Sequence, residues 1–554
     1  MTDDSTVPAP RLRVPMVLMD RRRALGLAAS ASAAAFLAAC SSNVNGSNPG
    51  SGSVQTGAAT SASASTGGSA SSTSLDTLII ANAVKVDTLD PAQNAVNESI
   101  WIDQCLYSRL TQADPTGVRI EPDLASSWDI SADQLTYTFH LRDAKFSDGS
   151  TITAADAVFS INRSRNLKGG WGFLLTPVKA VTATDPKTVT ITLTVPHEPL
   201  LADLAMYAYA VLPEKSVTAD KNFFTNPVTS GQFTISSYNP DTEIDLTVNP
   251  HYYGGAPKIK TVKIMVVTND NTRVLQLQSK KVDIIENPPG NLLNQIAKDP
   301  GLKVALFPST RVDFLQISTK VKPFNDVRVR QALKYAVDLD ELNTLAYQGH
   351  GIPANSFMPY KMLYWDASLA APKQDLAKSK SLLAAAGHAK GFDIDLITVS
   401  GDAAGSATAI VLQSQFAKVG ITVNIQSFEL VTAYTKEDGG TFATGERYWT
   451  NDIIDPDEVA TFGADGNGGA EAFNSFWENK TASALVASAR SETDTTKRAA
   501  MYAEIQQIVA DQVPFLPLVY SPYRYAYGSW VTGFDVSPLG NYNQSLQTLT
   551  VAAH

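Results

Sequence analysis

A chain of 554 residues is too long for one ordinary core, so roughly two to four compact units of about 100–200 residues each are expected. With 18% charged and 44% hydrophobic residues the balance is that of a globular protein. The net charge of −10, acids and bases both spread along the chain, excludes the basic face that a nucleic-acid binder needs.

The first 39 residues read as an export signal rather than as fold. Arg21, Arg22 and Arg23 precede "ALGLAASASAAAFLAA", a short apolar stretch ending in small residues. It is shorter than the ~20 apolar residues of a spanning helix. "DRRRAL" loosely fits a twin-arginine signal, with Asp20 where Ser or Thr is usual and Ala24 where Phe is usual. "LAAC", Leu37 to Cys40, resembles the bacterial lipoprotein box, which implies cleavage before Cys40 and lipid on its thiol. Residues 41 to about 75 are mostly Ser, Gly, Ala, Thr and Asn with no charge or aromatic ring, a tether spanning roughly 30 Å. The remaining cysteine, Cys105, lies in the apolar run "IWIDQCLYSRL" and reads as a buried, inert thiol.

The body starts with a buried strand at Leu78–Ile80. "LTYTFHL" alternates, which puts Leu135, Tyr137, Phe139 and Leu141 on one strand face and His140 on the other. Thr153 is placed to cap a helix from Ala154 to about Arg165, with Asp156 in its first turn. Strands follow at "KTVTITLTVP", "EIDLTVNPHYY" and "PKIKTVKIMVV"; "NTRVLQLQSKKVDII" reads as helix, then strand. From about residue 310 the rhythm changes to long helices between strands. Val329, Ala332, Leu333, Ala336 and Val337 recur at helical spacing, and Asp338 with Glu341 makes a capping box for the next helix, ended by Gly349. "LAKSKSLLAAAG", "FDIDLITVS", "SATAIVLQSQFAKVG" and "ITVNIQSF" alternate helix and strand, the pattern of an α/β unit. A last long helix, "TTKRAAMYAEIQQIVADQ", precedes the buried strand "VPFLPLVY".

Enzyme signatures are missing from the sequence: there is no nucleophile elbow, no H-E-x-x-H, no P-loop and no dinucleotide fingerprint. The six His are scattered, with no pair at metal spacing, and "DGNGGAE" lacks the alternating oxygens of a calcium loop. No metal or cofactor is expected. "YWTNDIIDPDEVA", residues 448–460, sets two aromatics beside acids around Pro456. It is open to two readings, an Asp-Pro turn or an acidic, aromatic-sided pocket wall awaiting a cation.

Several stretches together resemble one family. "EPDLASSWDISADQLTYTFHLRDAKFSDGSTITAADAVFSINR", "TLDPA", "NPHYYGG", "PFNDVRVRQALKYAVD", "AKSKSLLAAAG" and "WTNDIIDPDE" are similar, in order, to the peptide/nickel-type, family 5 solute-binding proteins of ABC importers. The resemblance covers about residues 76–554. It implies a bilobed α/β fold of the periplasmic-binding-protein type, with an extra subdomain on the first lobe. Lobe one maps to 76–120, 228–308 and 517–554, the subdomain to 121–227 and lobe two to 309–516, with hinge crossovers near 308 and 516. It implies a monomeric receptor held at the membrane on the extracytoplasmic side by lipid on Cys40, which delivers a small-molecule or peptide ligand to an ABC permease. In peptide-binding members the first Asp of the D-x-x-D-P stretch holds the ligand's amino terminus. Here that is Asp452, with Trp449, Tyr448 and Trp171 as further ligand contacts, and with Asp455 and Asp457 serving the turn. The loop matching the one in which dipeptide-binding members hold the ligand carboxylate with Arg, "SGDAAGSATA" (400–409), has no basic residue, and "NPVTSGQF" (226–233) has Thr-Ser-Gly-Gln where the family usually has Gly-Thr-Gly-Pro. A peptide or amine-bearing ligand is the leading expectation. Sugar, opine or metal-chelate ligands remain open, as does an enzyme or surface-structural protein on the same scaffold.

Overall fold

The computed structural model describes residues 74–554, apart from residues 95, 169 and 469–472. The expected signal, Cys40 and nearly all of the tether lie outside these residues. Two large sheets organise the chain. The first has seven strands in the order Leu302–Phe307, Tyr523–Gly528, Ile284–Glu286, Thr77–Asn82, Thr261–Val266, Glu243–Val248 and Phe233–Asn239. Thr77–Asn82 runs parallel to both of its neighbours, and the remaining pairings are antiparallel. The second has six strands in the order Ile352–Pro353, Phe515–Tyr520, Val312–Ile317, Thr444–Trp449, Phe392–Val399 and Ile421–Phe428.

The α/β rhythm has a direct outcome in the second sheet. Phe392–Val399 and Ile421–Phe428 are parallel, joined by the helix Ala403–Ala417. The helix Val327–Ala336 buries Val329, Ala332, Leu333 and Ala336, residues expected at helical spacing, while Val337 is buried as its C-cap; Leu339–Tyr347 buries Leu339 and Leu342. Asp338 starts the second of these by accepting from the amides of Asp340 and Glu341 at 3.1 and 3.0 Å. Gln348 and Gly349 end it, both at positive φ.

Between the first strands and the rest of the first sheet stands a four-stranded antiparallel sheet, Ala125–Ile130, Thr136–Leu141, Thr188–Leu193 and Val178–Asp185. Tyr137, Phe139 and Leu141 are buried on one face, while His140 points out to Asp129, 2.9 Å away. Burying each such apolar side chain contributes about 1.5–3 kcal/mol. The helix Ala154–Asn166 covers this sheet, and Asp156 accepts from the backbone and hydroxyl of Thr153 at 2.9 and 2.7 Å. This subdomain and the seven-stranded sheet share one apolar core. The second sheet has separate cores on its two sides.

The chain passes between the two large sheets at residues 308–311 and returns at 521–522. The expected return near 516 falls inside the strand Phe515–Tyr520, which pairs with Val312–Ile317 and so belongs to the second sheet. The two crossings are tied together: Ser309 donates to the carbonyl of Ser521, and Ser521 donates to the Asp313 carboxylate. Arg311 closes the set with Nε 3.0 Å from the same carboxylate. Cys105 is fully buried in the helix Asn97–Leu106, and burial pushes its thiol up to about 12.

Candidate functional site

The segment 448–460 lies where the two lobes meet. It begins as the end of the strand Thr444–Trp449 and ends as the helix Asp457–Ala464, so Pro456 is a helix entry rather than a free turn. The loop between is held by Asn451. Its side-chain amide donates to the carbonyls of Ile453 and Asp455 at 2.6 and 3.1 Å, and its backbone amide donates to the Thr310 hydroxyl oxygen at 3.0 Å. Ile453, at the loop tip, is buried in the core of the first lobe. Loop and crossover are thus one unit that reaches across the cleft.

Asp452 sits at this crossing. Its backbone amide donates to Glu458 Oε2 at 2.9 Å, and the amide of Ile453 reaches the same oxygen at 3.2 Å. No hydrogen bond or ion pair to the Asp452 carboxylate is found among the described residues. Burial lifts this carboxyl to about 7. Glu458 is fully buried, its Oε1 has no partner, and burial followed by the charge of Asp452 holds its carboxyl well above the usual range. Tyr207 and Tyr523 border the same spot; after burial, Asp452 is the next cause of their raised phenols. Two carboxyls, neighbouring phenols and no cation make a place where a positive charge is stabilised.

The aromatic expectations divide. Trp171 and Trp449 come together from opposite lobes around Phe462, with ring centroids 6.4 and 4.5 Å from it. Trp171 also meets Tyr207 edge-on at 6.2 Å. The turn that carries Trp171 needs Gly172, because a Cβ there would stand 2.0 Å from the Arg165 carbonyl oxygen. Tyr448 faces the other side of the strand, with the Arg311 guanidinium 3.7 Å over its ring. It lines a cavity of about 90 Å³ between the lobes, together with Trp101, Tyr523, Tyr525, Glu98 and Glu286.

Asp455 and Asp457 do more than serve a turn. Asp455 accepts from the Asp457 amide at 2.9 Å, but its oxygens also take a forked pair from Arg498 at 2.7 and 2.8 Å. Asp457 meets Arg490 Nε at 3.0 Å. The arginines lie on the helices Lys480–Ser491 and Thr495–Gln512, too far along the chain for local spacing to pair them. Glu458 had no signal beyond its place in a run of acids. Arg311 was equally unmarked, because its partner Asp313 makes it look like an ordinary strand-edge charge.

The loop 400–409 has no basic residue of its own, but Ala404 lines the same cavity as Arg311 and Arg524. Asp402 caps the helix Ala403–Ala417 through the Gly405 amide at 3.0 Å, and a Cβ at Gly405 would stand 2.3 Å from Glu446 Oε2. In "NPVTSGQF", Ser230 bonds the Ser108 amide and the Val211 carbonyl at 3.0 and 2.9 Å, and a Cβ at Gly231 would stand 2.6 Å from the Cys105 carbonyl oxygen. That segment packs the first lobe against the subdomain. Among the described residues no group of His, Cys, Asp and Glu could hold a metal ion, and no helix is long and apolar enough to cross a membrane.

Three comparisons bear on this geometry. The family model of bacterial extracellular solute-binding proteins, family 5, matches residues 119–470. The dipeptide-binding protein of Escherichia coli K12 is 30% identical over 472 residues, 79% of this chain and 88% of that protein. Among solved structures, the periplasmic binding protein DppA of Helicobacter pylori, in complex with the peptide STSA, superposes with a TM-score of 0.77 at 26% identity, over 86% of this chain and 98% of that one. AgaA of A. tumefaciens R10, in complex with agropinic acid, also gives 0.77 at 26% identity, over 86% and 99%. These are binding proteins, and the bilobed α/β fold with its two crossings is theirs. The chain belongs to the family 5 extracellular solute-binding proteins and is a solute receptor of an ABC importer.

Proposed function

We propose that the chain captures a peptide or another amine-bearing solute in the interlobe cleft, anchors its positive end on Asp452, and delivers it to a membrane permease without chemical change. The observation that carries this reading is the Asp452 carboxyl: lifted by burial, beside the raised Glu458, and without a partner among the described residues. A carboxylate in such a place is costly until a cation pairs with it. Trp171 and Trp449, meeting over Phe462, form the aromatic side of that anchor, and Tyr448 belongs to the neighbouring cavity. The peptide named with the Helicobacter receptor and the dipeptide named with the Escherichia relative support an amine-bearing ligand class. The agropinic acid named with AgaA is the observation that favours a second reading, an opine-like ligand.

In this reading the lobes close about the crossings at 308–311 and 521–522, the body works as a monomer, and lipid on Cys40 holds it outside the membrane. Calorimetry with a tripeptide and its N-acetyl form, against wild type and Asp452→Ala, tests the anchor. Acetylation is expected to weaken wild-type binding by about 2–5 kcal/mol and to add little to the loss in Asp452→Ala. Additive losses would reduce Asp452 to a brace for its own loop.

A further inference from the structure

The cavity beside the anchor contains a second pair of acids that the reading above does not use. Glu286 ends the strand Ile284–Glu286 and is 3% exposed. Its register partner across the antiparallel pair is Tyr525, so both side chains stand on one face of the sheet. Glu98 comes to the same place from the first turn of the helix Asn97–Leu106. All three line the cavity. Glu286 Oε2 and the Tyr525 hydroxyl are buried and have no hydrogen-bond partner, and Nε2 of His350, on the opposite lobe, faces the cavity unpartnered as well.

Arg311 and Arg524 line the same cavity, and the charge of Arg273 acts on both glutamates, but none of the three is found in a hydrogen bond or ion pair with Glu98 or Glu286 among the described residues. Arg273, behind the glutamates, is taken by Asp270 at 2.7 Å and by the carbonyls of Val267 and Asn287 at 2.7 and 3.1 Å. Arg311 is neutralised by Asp313. Arg524, on the same cavity wall, donates to Asn287 Oδ1 at 2.5 Å. The walls suit a cation: Trp101, Tyr448, Tyr523 and Tyr525 present rings, and Arg311 over Tyr448 at 3.7 Å shows a guanidinium already resting on one of them. Placement in the first turn of a helix accounts for Glu98 alone. It does not account for a buried, unpartnered Glu286 facing a tyrosine hydroxyl in the same state.

We propose that Glu98 and Glu286, with the Tyr525 hydroxyl, form a second cation subsite of the cleft, which takes an ammonium or guanidinium group carried by the ligand apart from its amino terminus. The proposal rests on the amine-anchor reading and narrows it to ligands with two positive centres, such as peptides with a basic side chain. The volume of about 90 Å³ has room for the end of one such side chain.

The test uses Lys-Ala-Ala, Ala-Lys-Ala and Ala-Ala-Lys against the same peptides with norleucine for lysine, by calorimetry. At least one lysyl peptide is expected to bind about tenfold or more tighter than its norleucyl partner. Glu286→Gln, with melting temperature as the check on folding, should erase that ratio. Acetylating the α-amine should weaken both peptides by the same factor. Glu98→Gln serves as the second variant should Glu286→Gln not fold. Equal binding of lysyl and norleucyl peptides at all three positions, or a ratio that survives both substitutions, overturns the proposal. If no tripeptide binds, cadaverine is compared with n-pentylamine. A diamine preference lost in Glu286→Gln keeps the subsite and removes the peptide reading, and no preference removes both.

Discussion

Replacing Asp452 by Asn should stabilise the ligand-free protein at neutral pH. Burial raises the Asp452 carboxyl from 3.8 to about 7, so ionising it in the folded chain costs at most about 4 kcal/mol. Between about pH 4 and pH 7 the folded chain holds a proton that the unfolded chain has released. Wild-type stability therefore falls as pH rises through that window and levels off above it. Asn has no charge to desolvate. Glu458, whose carboxyl is raised partly by Asp452, adds in the same direction, because neutralising residue 452 eases its ionisation. Asp203, raised to about 6 by burial, and Glu437, raised to about 7 by burial, contribute slopes of the same sign, but they are present in both proteins and cancel in the difference. Urea unfolding of both proteins from pH 4 to pH 8 reads it out. The curves should coincide near pH 4 and separate toward neutrality by up to about 4 kcal/mol, the variant being more stable. Parallel curves, or a variant less stable at neutral pH, would refute the idea that Asp452 is held at a cost for a ligand to relieve.

Asp455→Ala should behave in the opposite way: it strips a forked, buried partner from Arg498 and should cost about 3–5 kcal/mol in urea unfolding, with the effect of N-acetylation on binding intact. Small-angle scattering should show the radius of gyration fall when a binding tripeptide saturates the protein, since among the described residues the chain passes between the two large sheets at two short crossings; an unchanged radius counts against closure. Cys105 should resist a thiol reagent in the folded protein and react fully in urea, because its thiol is buried and raised. Cys40→Ser should move the protein from the membrane fraction to the medium, and unchanged fractionation would dispose of the lipid anchor.

The elements were legible because periodicity is local. Tyr137, Phe139 and Leu141 alternate into the subdomain core, and Val329, Leu333 and Ala336 recur along one helix face. Thr153 with Asp156 and Asp338 with Glu341 announced helix starts within four residues. The crossing near 516 was misplaced because "VPFLPLVYSPYRYAYG" is two consecutive strands in different sheets, and an apolar run does not tell which sheet it joins. Asp452 was visible only through the order of family motifs. Its companion Glu458 was hidden in "DPDE", where three acids look alike and burial alone sorts them: Asp455 and Asp457 have arginines 43 and 33 residues away, and Glu458 has two backbone amides. Glu98 and Glu286 meet across 188 positions of sequence, a distance at which no spacing rule operates.

The place of Tyr523–Gly528 inside the seven-stranded sheet governs the order in which the molecule is built. Among the described residues Leu302–Phe307 is an edge strand whose one strand neighbour is Tyr523–Gly528, and Ile284–Glu286 waits for the same strand on its open side. The six-stranded sheet is complete by residue 520. A growing or threading chain can therefore finish its second lobe while the first still has a vacant slot in its middle. During that interval the exposed edge of Ile284–Glu286 is open to pairing with other chains, and the last thirty or so residues act as the closing stave. Truncation before residue 523 should leave the inserted lobe folded and the first lobe open. A circular permutant that starts near residue 312 would make the first sheet from one uninterrupted stretch and shorten the exposed interval.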